Sequence, residues 1–168
     1  MEEIIKNKVS DSGLLTIDLE AYFPKEEIIG FDITPFLFMG QILKEKDFRQ
    51  SIEKEDWSKY SGKAVAVYCS ADAIIPAWAY MLVSSSLSGV ANTVYAGTPE
   101  ELEKKLFITK LEKITASDYI DKRVVIKGCG DKQIGAFAYL EITRLLKPVV
   151  KSLMYGEPCS TVPVYKKK

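Results

Sequence analysis

Residues 60–82 align without a gap on residues 119–141, at a constant offset of 59, and eight of the 23 positions are identical. The identities are Tyr60/Tyr119, Lys63/Lys122, Val65/Val124, Asp72/Asp131, Ile75/Ile134, Ala77/Ala136, Ala79/Ala138 and Tyr80/Tyr139. Average amino-acid usage gives roughly one or two such matches by chance. Val67/Ile126, Trp78/Phe137 and Met81/Leu140 are conservative replacements. Any fold for this chain must therefore place the same apolar strand, turn and helix twice. Two copies suit a duplicated β-turn-α unit; a solenoid needs three or more. Convergence on similar structural demands is the alternative.

The segments around the repeat extend the pattern. Leu14 to Leu19 and Ile28 to Ile33 carry alternating and β-branched apolar residues and are expected as short strands. Thr34-Pro35 has the form of a helix start, with Thr as N-cap and Pro at the first position, and 36–54 is expected to be helical, divided near Asp47. Strands follow at Val65 to Tyr68, Thr93 to Ala96 and Val124 to Lys127, with helices at Ile75 to Leu87 and from Ile134. Thr98-Pro99-Glu100-Glu101 is a capping box ahead of a helix buried through Leu102, Leu106, Leu111 and Ile114. Pro148 should break the last helix, with Gly156 beyond its end. The fold class expected is three-layer α/β: one domain over 1–168, a mostly parallel sheet with right-handed crossovers, and an N-terminal extension of short strands and helix.

Composition removes several functions. Lys+Arg and Asp+Glu both total 23, whereas a general nucleic-acid binder needs a basic surplus. The run Lys166-Lys167-Lys168 reads as a solvated tail. Met1-Glu2-Glu3 does not begin a secretory signal, and the longest apolar run, Ala73 to Val83, is too short to span a bilayer. No membrane partner is expected. A cytoplasmic location follows as an expectation, with Cys69, Cys129 and Cys159 reduced. The chain has no histidine. That excludes a Ser-His-Asp triad, a Cys-His dyad and an H-E-x-x-H zinc site.

Ligands of parallel α/β proteins usually bind at the carboxyl edge of the sheet. Cys69-Ser70-Ala71-Asp72 and Cys129-Gly130-Asp131 both fall at strand ends just before a helix. A helix N-terminus favours thiolates and anions, so Cys69 and Cys129 are candidate reactive or metal-ligating thiols. The plainer reading makes Asp72 and Asp131 N-caps and the cysteines small apolar fillers. In the repeat Cys69 matches Gly128 and Cys129 matches Ser70, so the thiols are out of step by one. Cys159 lies in Gly156-Glu157-Pro158-Cys159-Ser160-Thr161-Val162-Pro163, expected as a stiff loop. If that loop folds back, three thiols and two carboxylates meet, a donor set for zinc or an iron–sulfur cluster, although no C-x-x-C is present. Gly128-Cys129-Gly130 starts like a dinucleotide fingerprint, but Gln133 stands at the third glycine. Trp78, Phe137, Tyr80 and Tyr139 recur at helical spacing and are expected in the core.

Four segments together resemble a bacterial family known as domain of unknown function 2480: Leu43 to Arg49, Cys69 to Pro76, Arg123 to Lys132, and Met154 to Pro163. The resemblance spans nearly the whole chain. It implies no activity; members look associated with iron–sulfur cluster assembly genes, which implies assembly proteins as partners. Val65-Ala66-Val67-Tyr68-Cys69-Ser70 is similar, more weakly, to rhodanese-like sulfurtransferases, where a loop of backbone N–H groups stabilises a persulfide on the cysteine. Asp72 stands where that family has glycine, and no arginine follows.

Three functional expectations result. The first is an auxiliary protein of iron–sulfur or thiol metabolism, holding zinc or a cluster through Cys69, Cys129 and Cys159 with Asp72 and Asp131 in support. The second is a sulfurtransferase with Cys69 as persulfide carrier. The third is a non-catalytic binding or scaffold domain. The apolar helix of Ile75 to Leu87 suits an oligomer interface as well as a core.

Overall fold

The strand of residues 64–68 and the helix of residues 77–87 recur, shifted by 59, as a strand at 123–127 and a helix at 136–146. In the computed structural model, which describes residues 13–128 and 130–168, the order is β1 (Leu14–Asp18), β2 (Ile28–Asp32), α1 (Glu45–Lys54), β3 (Ala64–Tyr68), α2 (Ala77–Leu87), β4 (Thr93–Ala96), α3 (Pro99–Leu111), β5 (Arg123–Lys127), α4 (Ala136–Leu146), β6 (Ser152–Glu157) and β7 (Ser160–Lys166). Short 3-10 turns precede β3 and β5 at Trp57–Tyr60 and Ala116–Tyr119, again 59 residues apart. The fold is mixed α/β with mostly parallel sheets and, among the described residues, four α-helices.

Strands pair in two sheets, of order β1-β5-β6-β7 and β2-β3-β4. All pairings are parallel except β6–β7. The two N-terminal strands are integral to these sheets, each at an edge. The chain divides into two compact units, one of residues 1–24 and 106–168, the other of residues 25–105.

In the unit of residues 25–105, β3 is central and apolar on both faces, as a parallel strand covered on both sides must be. Val65 and Val67 pack with Phe31 of β2, with Phe48 and Ile52 of α1, and with Ala79, Val83 and Leu87 of α2. The spacing of four within each helix puts these side chains on one stripe. Phe31 also stacks on Phe36 and Trp57, with ring centroids 5.6 and 5.5 Å apart.

The other unit has its own core. Val124 and Ile126 of β5 meet Ile17 of β1, Leu153 of β6, and Ala138, Ile142 and Leu146 of α4. The α4 positions are those of Ala79, Val83 and Leu87 shifted by 59. Phe107 and Leu111 of α3 complete this core. Burying each such aliphatic side chain stabilises the fold by about 1.5–3 kcal/mol.

Several expectations are corrected. Residues 36–54 are not one interrupted helix: a 3-10 turn spans Thr34–Phe36, and α1 begins only at Glu45. Thr34 caps nothing, because its hydroxyl is engaged elsewhere. Helices α2 and α4 start two residues later than expected, at Ala77 and Ala136, with Pro76 and Gly135 as N-caps. Proline disfavours the α region for the residue before it, which keeps Ile75 out of the helix. Asp72 and Asp131 therefore stand well before the helices and do not cap them. The expected loop of residues 156–163 is instead the β6–β7 hairpin, with Pro158-Cys159 as its two-residue turn. Lys166 is no tail residue but the last residue of β7, and Lys167 N–H continues to Lys151 O at 2.9 Å. The capping box does form: Thr98 N donates to Glu101 at 2.8 Å, and Glu101 N to Thr98 Oγ1 at 3.3 Å.

Candidate functional site

The carboxyl ends of β2 and β3 carry a closed hydrogen-bond network. Asp32, the last residue of β2, accepts from Thr34 N at 2.9 Å, from Ser70 N at 3.1 Å and from the Ser70 hydroxyl at 2.6 Å. Thr34 Oγ1 accepts from Ser70 N at 2.9 Å and Ala71 N at 3.0 Å, and lies 3.0 Å from Ser70 Oγ and 3.4 Å from Cys69 Sγ. The Cys69 thiol donates to Ala71 O at 3.6 Å. Burial acts to raise the Asp32 pKa, but the hydrogen bonds from Ser70 and Thr34 together outweigh it and hold the carboxyl below its ordinary value of 3.8.

This arrangement limits the chemistry. A persulfide or other anion at Cys69 needs free backbone N–H groups around it, and those of Ser70 and Ala71 already serve Asp32 and Thr34. Ser70 is exposed and bonded to a carboxylate, but a carboxylate of lowered pKa is a poor general base for a hydroxyl. Cys69 itself is half-buried against the core of residues 25–105. The network holds the β3–α2 loop to the end of β2. Its residues Asp32, Thr34 and Ser70 were missed in the sequence, although a signal exists: Ile17-Asp18-Leu19 and Phe31-Asp32-Ile33 both end a strand on aspartate, 14 residues apart.

The corresponding edge of the other unit adds a longer acid, Glu20, to its strand-end aspartate. Asp18 accepts from Glu20 N at 3.0 Å, and Glu20 reaches Lys132 N at 3.3 Å. The Glu20 carboxylate lies directly over Gly130, where an added Cβ would push it aside. Lys127 lies 3.5 Å from Glu157 and 4.0 Å from Asp18, all three partly exposed, an arrangement worth little in stability. Cys129 lies outside the described residues. Cys159 is exposed at the tip of the β6–β7 hairpin. Asp72 and Asp131 are exposed in their loops. Cys69 belongs to one unit and Cys159 to the other. Among the described residues, no three His, Cys, Asp or Glu side chains converge as a metal shell requires. Nor is any helix among them long and apolar enough to cross a membrane.

The most apolar concavity described lies elsewhere. A groove of about 450 Å³ runs between α4 and the β6–β7 hairpin, lined chiefly by Ile126, Tyr139, Leu140, Met154, Tyr155 and Val164. Leu140 is 73% exposed and Val164 56%. Tyr139 forms a wall: its ring meets Tyr155 edge-on at 5.5 Å, and its hydroxyl donates to Gly128 O at 3.1 Å. The unit of residues 25–105 has a shallower counterpart along α2, lined by Val67, Tyr80, Met81, Ser84 and Ala96, with three serines in its wall. Val67, Tyr80 and Met81 are the repeat partners of Ile126, Tyr139 and Leu140. Trp78, Phe137, Tyr80 and Tyr139 do pack against the two cores, each half-buried.

Comparison with curated proteins and with solved structures finds no match in either. A family model described as a protein of unknown function (DUF2480) matches residues 3–167, and the chain belongs to that family.

Proposed function

We propose that this protein is a non-catalytic binding module that takes apolar side chains of a partner into the groove between α4 and the β6–β7 hairpin. One observation carries the reading: Leu140, Val164, Val162 and Tyr155 leave large apolar surface in solvent around a preformed concavity. Contiguous exposed apolar surface marks interaction sites, whereas isolated apolar residues do not. Ligand sites are typically concave, apolar and preformed. At the carboxyl edge of β2 and β3, by contrast, Asp32, Thr34, Ser70 and Ala71 bond to one another.

The test uses a neutral hexapeptide bearing Leu and Phe, followed by amide chemical-shift mapping on the whole chain. Shifts should cluster at Leu140, Thr143, Tyr155 and Val164, and Leu140→Glu should weaken binding about tenfold, some 1.4 kcal/mol. Because Leu140 is exposed, the substitution leaves the fold intact. Replacing Cys69 or Cys159 by serine should leave binding unchanged. Shifts scattered over the surface, or none, would overturn the proposal.

A second reading is an auxiliary protein of iron–sulfur cluster or thiol metabolism, working in the cytoplasm with reduced thiols. It is favoured by Cys159, which stands exposed in a tight turn of the unit whose span also includes Cys129. Metal analysis of protein purified without oxygen decides it. Stoichiometric zinc or iron that is lost in Cys159→Ser supports it; trace metal alone removes it.

A further inference from the structure

Strand β4 is the last of its sheet. Among the described residues it pairs with β3 alone, and its final residue, Ala96, is exposed. The repeat shows what such an edge accepts. Shifted by 59, β4 becomes β6, and β6 carries β7 antiparallel along its outer side. The two edges also differ in their guards. Strand β7 has Pro163 and Lys166, residues that discourage a further strand. Thr93-Val94-Tyr95-Ala96 has neither a proline nor a charge.

The surface beside this edge is free of charge. Residues 73–99, which include all of α2 and β4, contain no Asp, Glu, Lys or Arg, in a chain that is 27% charged. At the matching places α4 has Arg144 and Lys147 where α2 has Ser85 and Ser88. A concavity of about 550 Å³ lies between α2 and the β4 edge, lined by Val67, Tyr80, Met81, Ser84, Ser88 and Ala96. These residues share one face of the sheet: Val65 pairs with Val94 and Val67 with Ala96, on the side that α2 covers. Met81 is 70% exposed, and Ser84, Ser85 and Ser88 are exposed beside it. A solvated helix face normally carries charge, whereas depletion of charge marks the centre of a protein interface.

We infer that β4 pairs antiparallel with the β4 of a second copy of this chain, joining two three-stranded sheets into one. A two-fold axis normal to the sheet makes the apposed strands antiparallel and keeps both α2 helices on the same face. Helix α2 spans the crossover from β3 to β4, and neighbouring strands lie about 4.8 Å apart, so the two helices fall about 10 Å from each other. That is the distance at which helices pack. Ser84, Ser85 and Ser88 are small enough to allow the approach, with Met81 filling the seam. The absence of charge also favours an identical partner. This surface offers no sign for a charged partner to read, and it meets no like-charge repulsion when set against itself. The inference is independent of the α4 groove, which belongs to the other unit.

Sedimentation equilibrium of the full chain over a range of concentrations should give twice the mass of one chain. Ser85→Arg, which gives α2 the residue type that α4 carries at that place, and Ser85→Glu should each weaken the dimer at least about tenfold, because like charges then meet across the axis. Ser85 is exposed, so both variants should keep the parent melting temperature. Mixing the two variants in equal amounts should restore the dimer, since opposite charges then face each other. Amide hydrogen exchange in β4 should be slow in the parent and faster in each variant alone. Met81→Lys and Met81→Glu repeat the test at a second exposed place. A monomer at every concentration would overturn the inference, as would a dimer that both pairs of variants leave unchanged. Loss of the dimer without rescue on mixing would overturn it too. A monomer whose β4 amides are protected only by an added peptide of alternating Val and Thr would assign the edge to a foreign strand, against a second copy.

Discussion

Asp32 carries more of the local structure than Cys69 does. Its carboxylate joins Thr34 and Ser70, residues that start as strangers in sequence, and hydrogen bonds to a charged group contribute about 1.5–3 kcal/mol when well shielded. Partial exposure lowers that, so Asp32→Asn should cost about 1–2 kcal/mol at neutral pH. The pKa is lower in the folded state, so the contribution is complete above the unfolded value near 3.8 and is lost as pH falls through the folded value. Urea unfolding at neutral pH and again well below pH 3.8 checks this. The gap between wild type and variant should close in acid; a constant gap refutes the assignment. Thr34 shows why this hub was hidden. A Thr-Pro pair satisfies every local rule for a helix start, and only the loop at Ser70, far along the chain, reveals that the hydroxyl has another use.

At the scale of elements, what was legible is what is local. The Thr98–Glu101 capping box and the strands Thr93 to Ala96 and Val124 to Lys127 follow from neighbours within a turn or a pleat. The β6–β7 hairpin was not legible, because Gly156, Pro158 and Pro163 are all loop-forming residues in isolation. An edge strand tolerates Pro163, and Gly156 is needed where its φ is +119°. The signal that would have found β6 was the repeat itself: β4 begins at Thr93 and β6 at Ser152, once more 59 residues apart. Gly156→Ala would set a Cβ 2.5 Å from the Ser160 carbonyl oxygen, across the hairpin, in a backbone region that side chains avoid. The expected cost is about 1–3 kcal/mol, seen as a melting temperature several degrees lower. An unchanged melting temperature would mean that the hairpin adopts another turn. Because this hairpin forms one wall of the apolar groove, peptide binding should weaken alongside stability.

For the molecule as a whole, the sequence supports an α/β fold with parallel strands, but not which strands pair. Nothing local indicates that Leu14 to Asp18 lies against Arg123 to Lys127. Only the three-dimensional arrangement reveals it, together with the burial of Ile17 and Leu19 beside Val124 and Ile126. Removing residues 1–24 should therefore damage residues 106–168, with a loss of about 2–5 kcal/mol for each large buried aliphatic taken away. Amide hydrogen exchange measures it: protection in β5 should collapse in the truncated chain. Retained protection there would show that β1 contributes little.

The same pairing sets a timetable for synthesis. A ribosome adding roughly 5–20 residues per second finishes β1 some 5–20 seconds before it has made β5, whereas β2, β3 and β4 emerge in order and can zip as they appear. The nascent chain thus carries an unmated apolar strand, Leu14-Leu15-Thr16-Ile17, until β5 emerges. β1 is made long before the strand that locks it in place, so slowing elongation lengthens the interval in which this chain is open to chaperones and to its own neighbours.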